Sequence, residues 1–174
     1  MRPGDHPDFF RLPPPEGRSR ESAIRLDADG RFWHDGRPVD HVGLRAGLHA
    51  WIRRHPDDGR YILSNGYDWT YFTVDDAPYV VRSLREEPGR IVLVLSDQTE
   101  EPWIAERTRV GDDGSLYAEV KAGLPGGPFE AKFSRHAQTS LGPWLHEDAS
   151  SPSGAAVRVG SELHAIGAKK AAFE

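Results

Sequence analysis

The chain has 174 residues, with 22 Lys and Arg against 27 Asp and Glu, a formal net charge of -5 and no cysteine. That length suits one domain or two very small ones, and the missing cysteines exclude disulfides, thiolate metal sites and a cysteine nucleophile. The longest aliphatic run, Ile91 to Leu95, is far short of the roughly twenty residues a membrane helix needs, and a mildly acidic chain with scattered arginines is a poor general partner for nucleic acid. The first residues, MRPGDHPDFF, hold no apolar stretch of signal-peptide length, so a cytoplasmic location is expected. The mean hydropathy of -0.61 is low for a chain folded throughout, which points to polar arms at the ends.

Residues 1–21 read as a Pro-rich, flexible arm. Pro3, Pro7 and Pro13 to Pro15 remove backbone donors and favour extended chain, while Phe9, Phe10 and Leu12 are apolar enough to dock. A solvated tail is the simpler expectation. An N-terminal α+β subdomain then covers 22–77. Ile24 to Leu26 is a short strand, Asp27-Ala28-Asp29-Gly30 a turn, and Arg31 to His34 the returning strand, with a second hairpin signal at Asp35-Gly36. A helix is expected next, capped by Asp40 and stapled by Val39 and Leu44. Its buried stripe would be Leu44, Leu48, Trp51 and Ile52, with Arg53, Arg54 and His55 at its carbonyl end and Pro56 stopping it. Arg60 to Ser64 and Trp69 to Val74 flank an Asn65-Gly66 hairpin turn.

A C-terminal α+β subdomain covers 78–148. Tyr79 to Leu84 and Arg90 to Leu95 are strands, Ile104 to Val110 a weaker one, and Gly111-Asp112-Asp113-Gly114 turns into Leu116 to Lys121. Pro128 to Leu141 reads as a second helix, with Pro128 at its first position and Phe129, Phe133, Ala137 and Leu141 on its buried face. Residues 149–174 are Ser-, Gly- and Ala-rich, and Val157, Val159 and the segment Ser161 to Phe173 read as weak structure or a mobile tail. The nonapeptide from Arg25 to Trp33 parallels the one from Arg109 to Tyr117, and each precedes a Gly/Pro loop and an expected helix. This echo suggests a duplicated strand–turn–strand–helix unit, although hairpins in general use Asp and Gly at their turns.

No nucleophile elbow, HExxH helix or phosphate loop is present. The histidines do not pair at metal-ligand spacing, and Asp27-x-Asp29-Gly30 lacks the later ligands of a calcium loop. Asp75 and Asp76 end a strand beside Pro78, where paired carboxylates either hold a ligand hydroxyl or cap backbone donors. Leu124-Pro125-Gly126-Gly127-Pro128, entering the expected second helix with Lys121 and Arg135 near, is the best anion-site candidate; the bland alternative is a plain connection. Trp33, Tyr67, Trp69 and Tyr71 offer either a stacking wall for a ring or ordinary core.

Three stretches carry a family resemblance. Asp29-Gly30-x-x-Trp33-x-x-Gly36-x-Pro38-Val39, then Tyr61-Ile62-Leu63, then Val74-Asp75-Asp76-Ala77-Pro78-Tyr79-Val80-Val81 resemble the bacterial domain-of-unknown-function family 1285. Leu116 to Leu124 resembles that family's second conserved block, and the likeness runs over about residues 23–147. It implies an α+β protein of two related small subdomains, each a mostly antiparallel sheet with a packed helix, the second superficially like a pleckstrin-homology fold. It also implies a nucleotide-like ligand in a cleft between them and a signalling role; no activity is established for the family. Carried over by motif, the cleft positions would be Asp75, Asp76, Tyr79, Tyr117 and Lys121. The full candidate set is therefore Trp33, Asp75, Asp76, Tyr79, Tyr117, Lys121, Gly126, Gly127 and Arg135. The favoured expectation is a non-catalytic module without cofactor or metal that binds a small anionic or nucleotide-like molecule. The alternatives are a protein-interaction module using a sheet edge or the Pro-rich arm, and a metal-assisted hydrolase acting through Asp75 and Asp76.

Overall fold

The computed structural model describes residues 1–167. The expected tail beyond that point, with Lys169, Lys170 and Phe173, lies outside the described residues. The fold is mixed α+β, with several small sheets and two short α-helices among the described residues. The chain forms two compact units, one of Met1–Pro78 with Gly123–Pro128, the other of Tyr79–Ala122 with the chain from Phe129 onward.

In the first unit, β1 (Ile24–Leu26), β2 (Phe32–His34), β3 (Arg37–Pro38) and β7 (Thr73–Val74) form a sheet in the order β3-β2-β1-β7. β1 and β2 are an antiparallel hairpin pairing Leu26 with Phe32, and β7 runs parallel to β1. The α-helix α1 (Val42–Ala50) leads into a second antiparallel sheet of β4 (Ile52–Arg54), β5 (Tyr61–Ser64) and β6 (Trp69–Tyr71). The core of the unit is built on Leu26, Phe32, Leu48, Ile52 and Ile62.

The helix is shorter than the sequence predicts. Its cap is His41 rather than Asp40, the ring Nδ1 accepting the Leu44 N–H at 3.1 Å. It stops at Ala50: Trp51 is the C-cap, its N–H donating to the Gly47 and Leu48 carbonyls and its ring over Gly47, where a Cβ would sit 3.1 Å away. Ile52 then enters β4 opposite Leu63, so Arg53 and Arg54 are strand residues and Leu44 is left exposed.

The arm is bound to this unit. Two 3₁₀ turns, Pro3–Asp5 and Phe9–Arg11, bury Phe9 against Ile62 and Trp69, with Phe10 and Tyr71 at the edge of the cluster. Arg11 donates to both oxygens of Asp57 at 2.7 and 3.0 Å, and Arg20 bonds Asp68 at 2.7 Å. Arg60 grips both oxygens of Glu21 at 2.8 and 2.9 Å. Burial of Phe9 and these paired guanidinium groups hold the segment where the sequence predicts a solvated tail.

In the second unit, a six-stranded sheet curls into a half-barrel in the order β10-β9-β8-β13-β12-β11. Its strands are β8 (Tyr79–Glu87), β9 (Arg90–Leu95), β10 (Glu100–Pro102), β11 (Thr108–Val110), β12 (Leu116–Val120) and β13 (Phe129–Phe133). A helix α2 (Arg135–Ser140) follows, then an antiparallel sheet of β14 (Leu145–Glu147), β15 (Ala155–Val159) and β16 (Glu162–Ala165). Residues 155–165, expected to be weak structure or tail, thus form two paired strands.

The predicted second helix is mostly strand. Phe129, Ala131 and Phe133 are fully buried while Glu130 and Lys132 are half-buried, which is the two-residue period of a strand. Pairing with β12 on one side and β8 on the other overrides the helical spacing of the two phenylalanines. The helix begins only after Ser134, whose Oγ accepts the Ala137 N–H at 3.1 Å.

Candidate functional site

A cavity of about 410 Å³ opens within the first unit. Its lining includes the end of α1 at Trp51, the strand residues Arg53 and Arg54, the Asn65-Gly66 turn, the loop residues Pro125 and Gly126, and the arm residues Arg2, Asp5 and Phe10. Three arginines and one aspartate therefore line it, together with two aromatic residues. Their placement follows from local chain geometry. The end of α1 at Ala50 turns Arg53 and Arg54 into β4, where both are half-buried. Arg53 Nη1 donates to the carbonyls of Ala50 and Ile52 at 3.1 and 2.7 Å, which caps the carbonyl end of the helix. The Arg54 guanidinium lies over the Tyr61 ring, 4.8 Å from its centroid, and Nη2 reaches the Tyr61 hydroxyl at 3.3 Å. The stem of Arg54 runs against Gly126, where a Cβ would sit 2.9 Å from Arg54 Cβ; at φ +79° this position is suited to glycine.

The sequence-derived candidates fall in both units. Trp33, Asp75, Asp76, Gly126 and Gly127 belong to the first, and Tyr79, Tyr117, Lys121 and Arg135 to the second. Asp75 accepts an ion-paired hydrogen bond from Arg25, and the Arg25 guanidinium lies 5.6 Å from the Trp33 ring centroid. Trp33 Nε1–H donates to Asp27 Oδ2 at 2.8 Å. Burial works to raise the Asp27 carboxyl, but hydrogen bonds from the Arg31 backbone, Trp33 and the Asp29 backbone hold it below the ordinary value. Asp76 is half-buried and has an interaction partner. Among the described residues, no three His, Asp or Glu side chains gather in metal-binding geometry.

In the second unit, Tyr79 is buried edge-on to Phe129 at 5.6 Å. Lys121 comes within 5.5 Å of the Tyr79 ring centroid, but its ammonium is held by Asp97 Oδ2 at 2.6 Å and by the Thr99 hydroxyl. Tyr117 packs under Arg109, 3.9 Å from ring centroid to guanidinium. Arg135 is exposed at the start of α2. The anion site expected at a helix entry does not form. The Gly126-Gly127 loop leads into strand β13, so no helix dipole stands behind it, and the charge of Lys121 is already neutralised by Asp97.

The structure superposes on a crystal structure of a DUF1285 family protein from Silicibacter pomeroyi DSS-3 with a TM-score of 0.65, at 16% identity, covering 92% of this chain and 86% of that one. The chain has the DUF1285 fold. A second DUF1285 family protein, from Shewanella baltica OS155, gives a TM-score of 0.51 at 21% identity over 67% of this chain and 87% of that one. No family model and no curated protein matches the sequence. Within the DUF1285 fold, the Val-Asp-Asp-Ala-Pro-Tyr-Val string is the chain's passage between units: Val74 ends β7, Pro78 closes the first unit and Tyr79 opens β8. Sequence reasoning missed Arg2, Trp51, Arg53 and Arg54 as site residues. Adjacent arginines directly after a Trp–Ile pair are a signal, but the helical spacing of Leu44, Leu48 and Ile52 assigns them to the basic end of a helix.

Proposed function

We propose that the protein is a non-catalytic, cytoplasmic ligand-sensing module that takes a small anionic, ring-bearing molecule, nucleotide-like in its chemistry, into the cavity of the first unit. The observation that carries this reading is the lining: Arg2, Arg53 and Arg54 against Asp5, beside Trp51 and Phe10. Guanidinium forks match phosphate and carboxylate oxygens, and aromatic faces stack on flat rings. A volume of about 410 Å³ fits the range of roughly 300–1,000 Å³ for small-molecule sites. The lining supplies binding groups rather than an acid–base pair.

The other readings have less support. Phe9, the apolar anchor a partner-binding arm would present, is committed to the unit's own core. Asp75, needed for metal-assisted hydrolysis, is engaged by Arg25.

Thermal-shift measurements with nucleoside monophosphates and diphosphates, inorganic pyrophosphate and aromatic carboxylates test the proposal. A ligand present at a hundred times its Kd adds about 2.7 kcal/mol of stability. Arg54→Gln and Trp51→Ala should abolish the shift. No stabilisation by any of these compounds at millimolar concentration overturns the reading.

A further inference from the structure

We propose that Arg2 is a ligand-clamping residue, carried to the cavity by the docked arm, so that ligand binding and arm docking are linked. The inference rests on the cavity reading above and adds to it the residue that closes the site.

The arm is seated for this purpose at several points. Gly4 N–H donates to the Gly66 carbonyl at 2.8 Å, and the two backbones approach so closely that a Cβ on Gly4 would lie 2.9 Å from Gly66 Cα. Arg2 is fixed by its own N–H on Asp5 Oδ2 at 2.9 Å, and its side chain passes over Gly66, where a Cβ would meet Arg2 Cδ at 3.5 Å. Further along, the His55 ring holds the arm. Its Nε2–H donates to the Phe10 carbonyl at 3.1 Å while Nδ1 accepts the Asp57 N–H at 3.2 Å. Arg11 closes the series on Asp57.

The consequence is an arginine that lines the cavity from a segment contributing Arg2, Gly4, Asp5 and Phe10. Arg53 and Arg54 come from β4, so an anion bonded to them meets Arg2 from a different element. Among the described residues no carboxylate forms an ion pair with the Arg2 guanidinium, which leaves that charge available to a bound anion. A ligand bonded to both elements stabilises the docked arm, and by linkage the docked arm stabilises the ligand by the same factor.

The test uses the full chain, adenosine monophosphate as the probe and inorganic pyrophosphate as a ringless control. Isothermal calorimetry compares wild type with Arg2→Gln, Gly4→Ala and Arg54→Gln, and tryptic cleavage after Arg11 is timed with and without the probe. Loss of one charge-assisted contact in Arg2→Gln should weaken probe binding about tenfold or more. Gly4→Ala keeps the charge but unseats the first turn, and should weaken binding while speeding cleavage. Bound probe should slow cleavage in wild type and not in Arg2→Gln. If Arg54→Gln loses the probe while Arg2→Gln binds it as wild type does, the clamp is overturned and the cavity reading stands. If wild type binds neither probe, both fall.

Discussion

The two units follow the same succession of elements and close it differently. A hairpin, a third strand, a short helix and a three-stranded antiparallel sheet run as β1-β2-β3-α1-β4-β5-β6 in one unit and β11-β12-β13-α2-β14-β15-β16 in the other. The hairpin turns agree closely: Gly30 N–H bonds the Asp27 carbonyl at 3.0 Å, Gly114 N–H bonds the Gly111 carbonyl at 2.9 Å, and both glycines have φ +81°. Among the positions that differ, one pair is exchanged with its aromatic partner. Where the first hairpin sets Asp27 to receive the Trp33 indole N–H, the second has Gly111, and a Cβ there would lie 3.0 Å from the Tyr117 ring. An indole needs an acceptor for its N–H, while the Tyr117 ring, that close to the turn, needs the room a glycine leaves. The larger difference is support. The first hairpin leans on the two-residue β7, whereas β13 of the second unit leans on the nine-residue β8. The unit with less sheet of its own recruits the arm, and its cavity is lined by three arginines and one aspartate. The second unit has a cavity of about 240 Å³, but its Arg90 and His164 are paired with Glu87 and Glu106.

If the arm is what completes the first unit, removing its anchor should do the most damage. Phe9→Ala deletes a ring 5% exposed that packs on Ile62 and Trp69. The expected cost is about 3–5 kcal/mol, the usual range for a buried Phe truncated to Ala. Urea denaturation followed by tryptophan fluorescence reads it directly. A loss below about 1 kcal/mol would mean that the arm decorates the unit rather than completes it.

The same contrast explains what was legible in the sequence. Asp-Gly and Asn-Gly turns act over four residues, so both echoed hairpins and the Asn65-Gly66 turn were readable from local chemistry. The strand Phe129–Phe133 was not, because Phe129 and Phe133 satisfy a helical spacing and a strand alternation equally, and only pairing with β8 and β12 decides between them. The end of α1 was not readable either, because Ile52 fits the helical stripe and only its pairing with Leu63 in β4 takes it out of the helix. Arm docking joins residues nearly fifty apart, as Arg11 to Asp57 and Arg20 to Asp68 do. The cavity inherits that opacity, since Arg2, Arg54 and Gly126 come from three distant stretches; Gly126 alone was singled out from sequence, and for a helix that is not there.

The second unit's own clip should be the next most sensitive point. Lys121 and Asp97 form an ion pair with side chains 12% and 7% exposed, and the Lys121 N–H is received by Glu101 at 3.1 Å. Burial works to raise the Asp97 carboxyl, but hydrogen bonds from Lys121 and Thr99 outweigh it and hold the group below the ordinary value. The unfolded chain then binds more protons than the folded one between the two values, so stability rises with pH in that window. The contribution is complete above the unfolded value of about 4 and is lost as pH falls through the folded value. Asp97→Asn leaves the ammonium buried without its counter-charge and should cost about 3 kcal/mol at pH 7. Urea curves at pH 7 and pH 2.5 for both proteins check this. A variant that loses as much at pH 2.5 as at pH 7 would mean that the carboxylate charge is not the stabilising feature.

The smallest effect separates the echoed arginines. Arg25 and Arg109 occupy matching hairpin positions, and each stands over the aromatic residue opposite it in register and pairs with a carboxylate on another strand or loop. The Arg109 guanidinium is 3.9 Å from the Tyr117 ring centroid, while that of Arg25 is 5.6 Å from Trp33. Both are about half exposed, so solvent screens their ion pairs. Each alanine variant should cost only about 0.5–1 kcal/mol, with Arg109→Ala the larger because its ring contact is closer. Thermal denaturation of the two variants side by side resolves the order. If Arg25→Ala costs more, the distance to the ring is not what sets the effect, and the pairing with Asp75 at the end of β7 is doing more for the first unit than its exposure suggests.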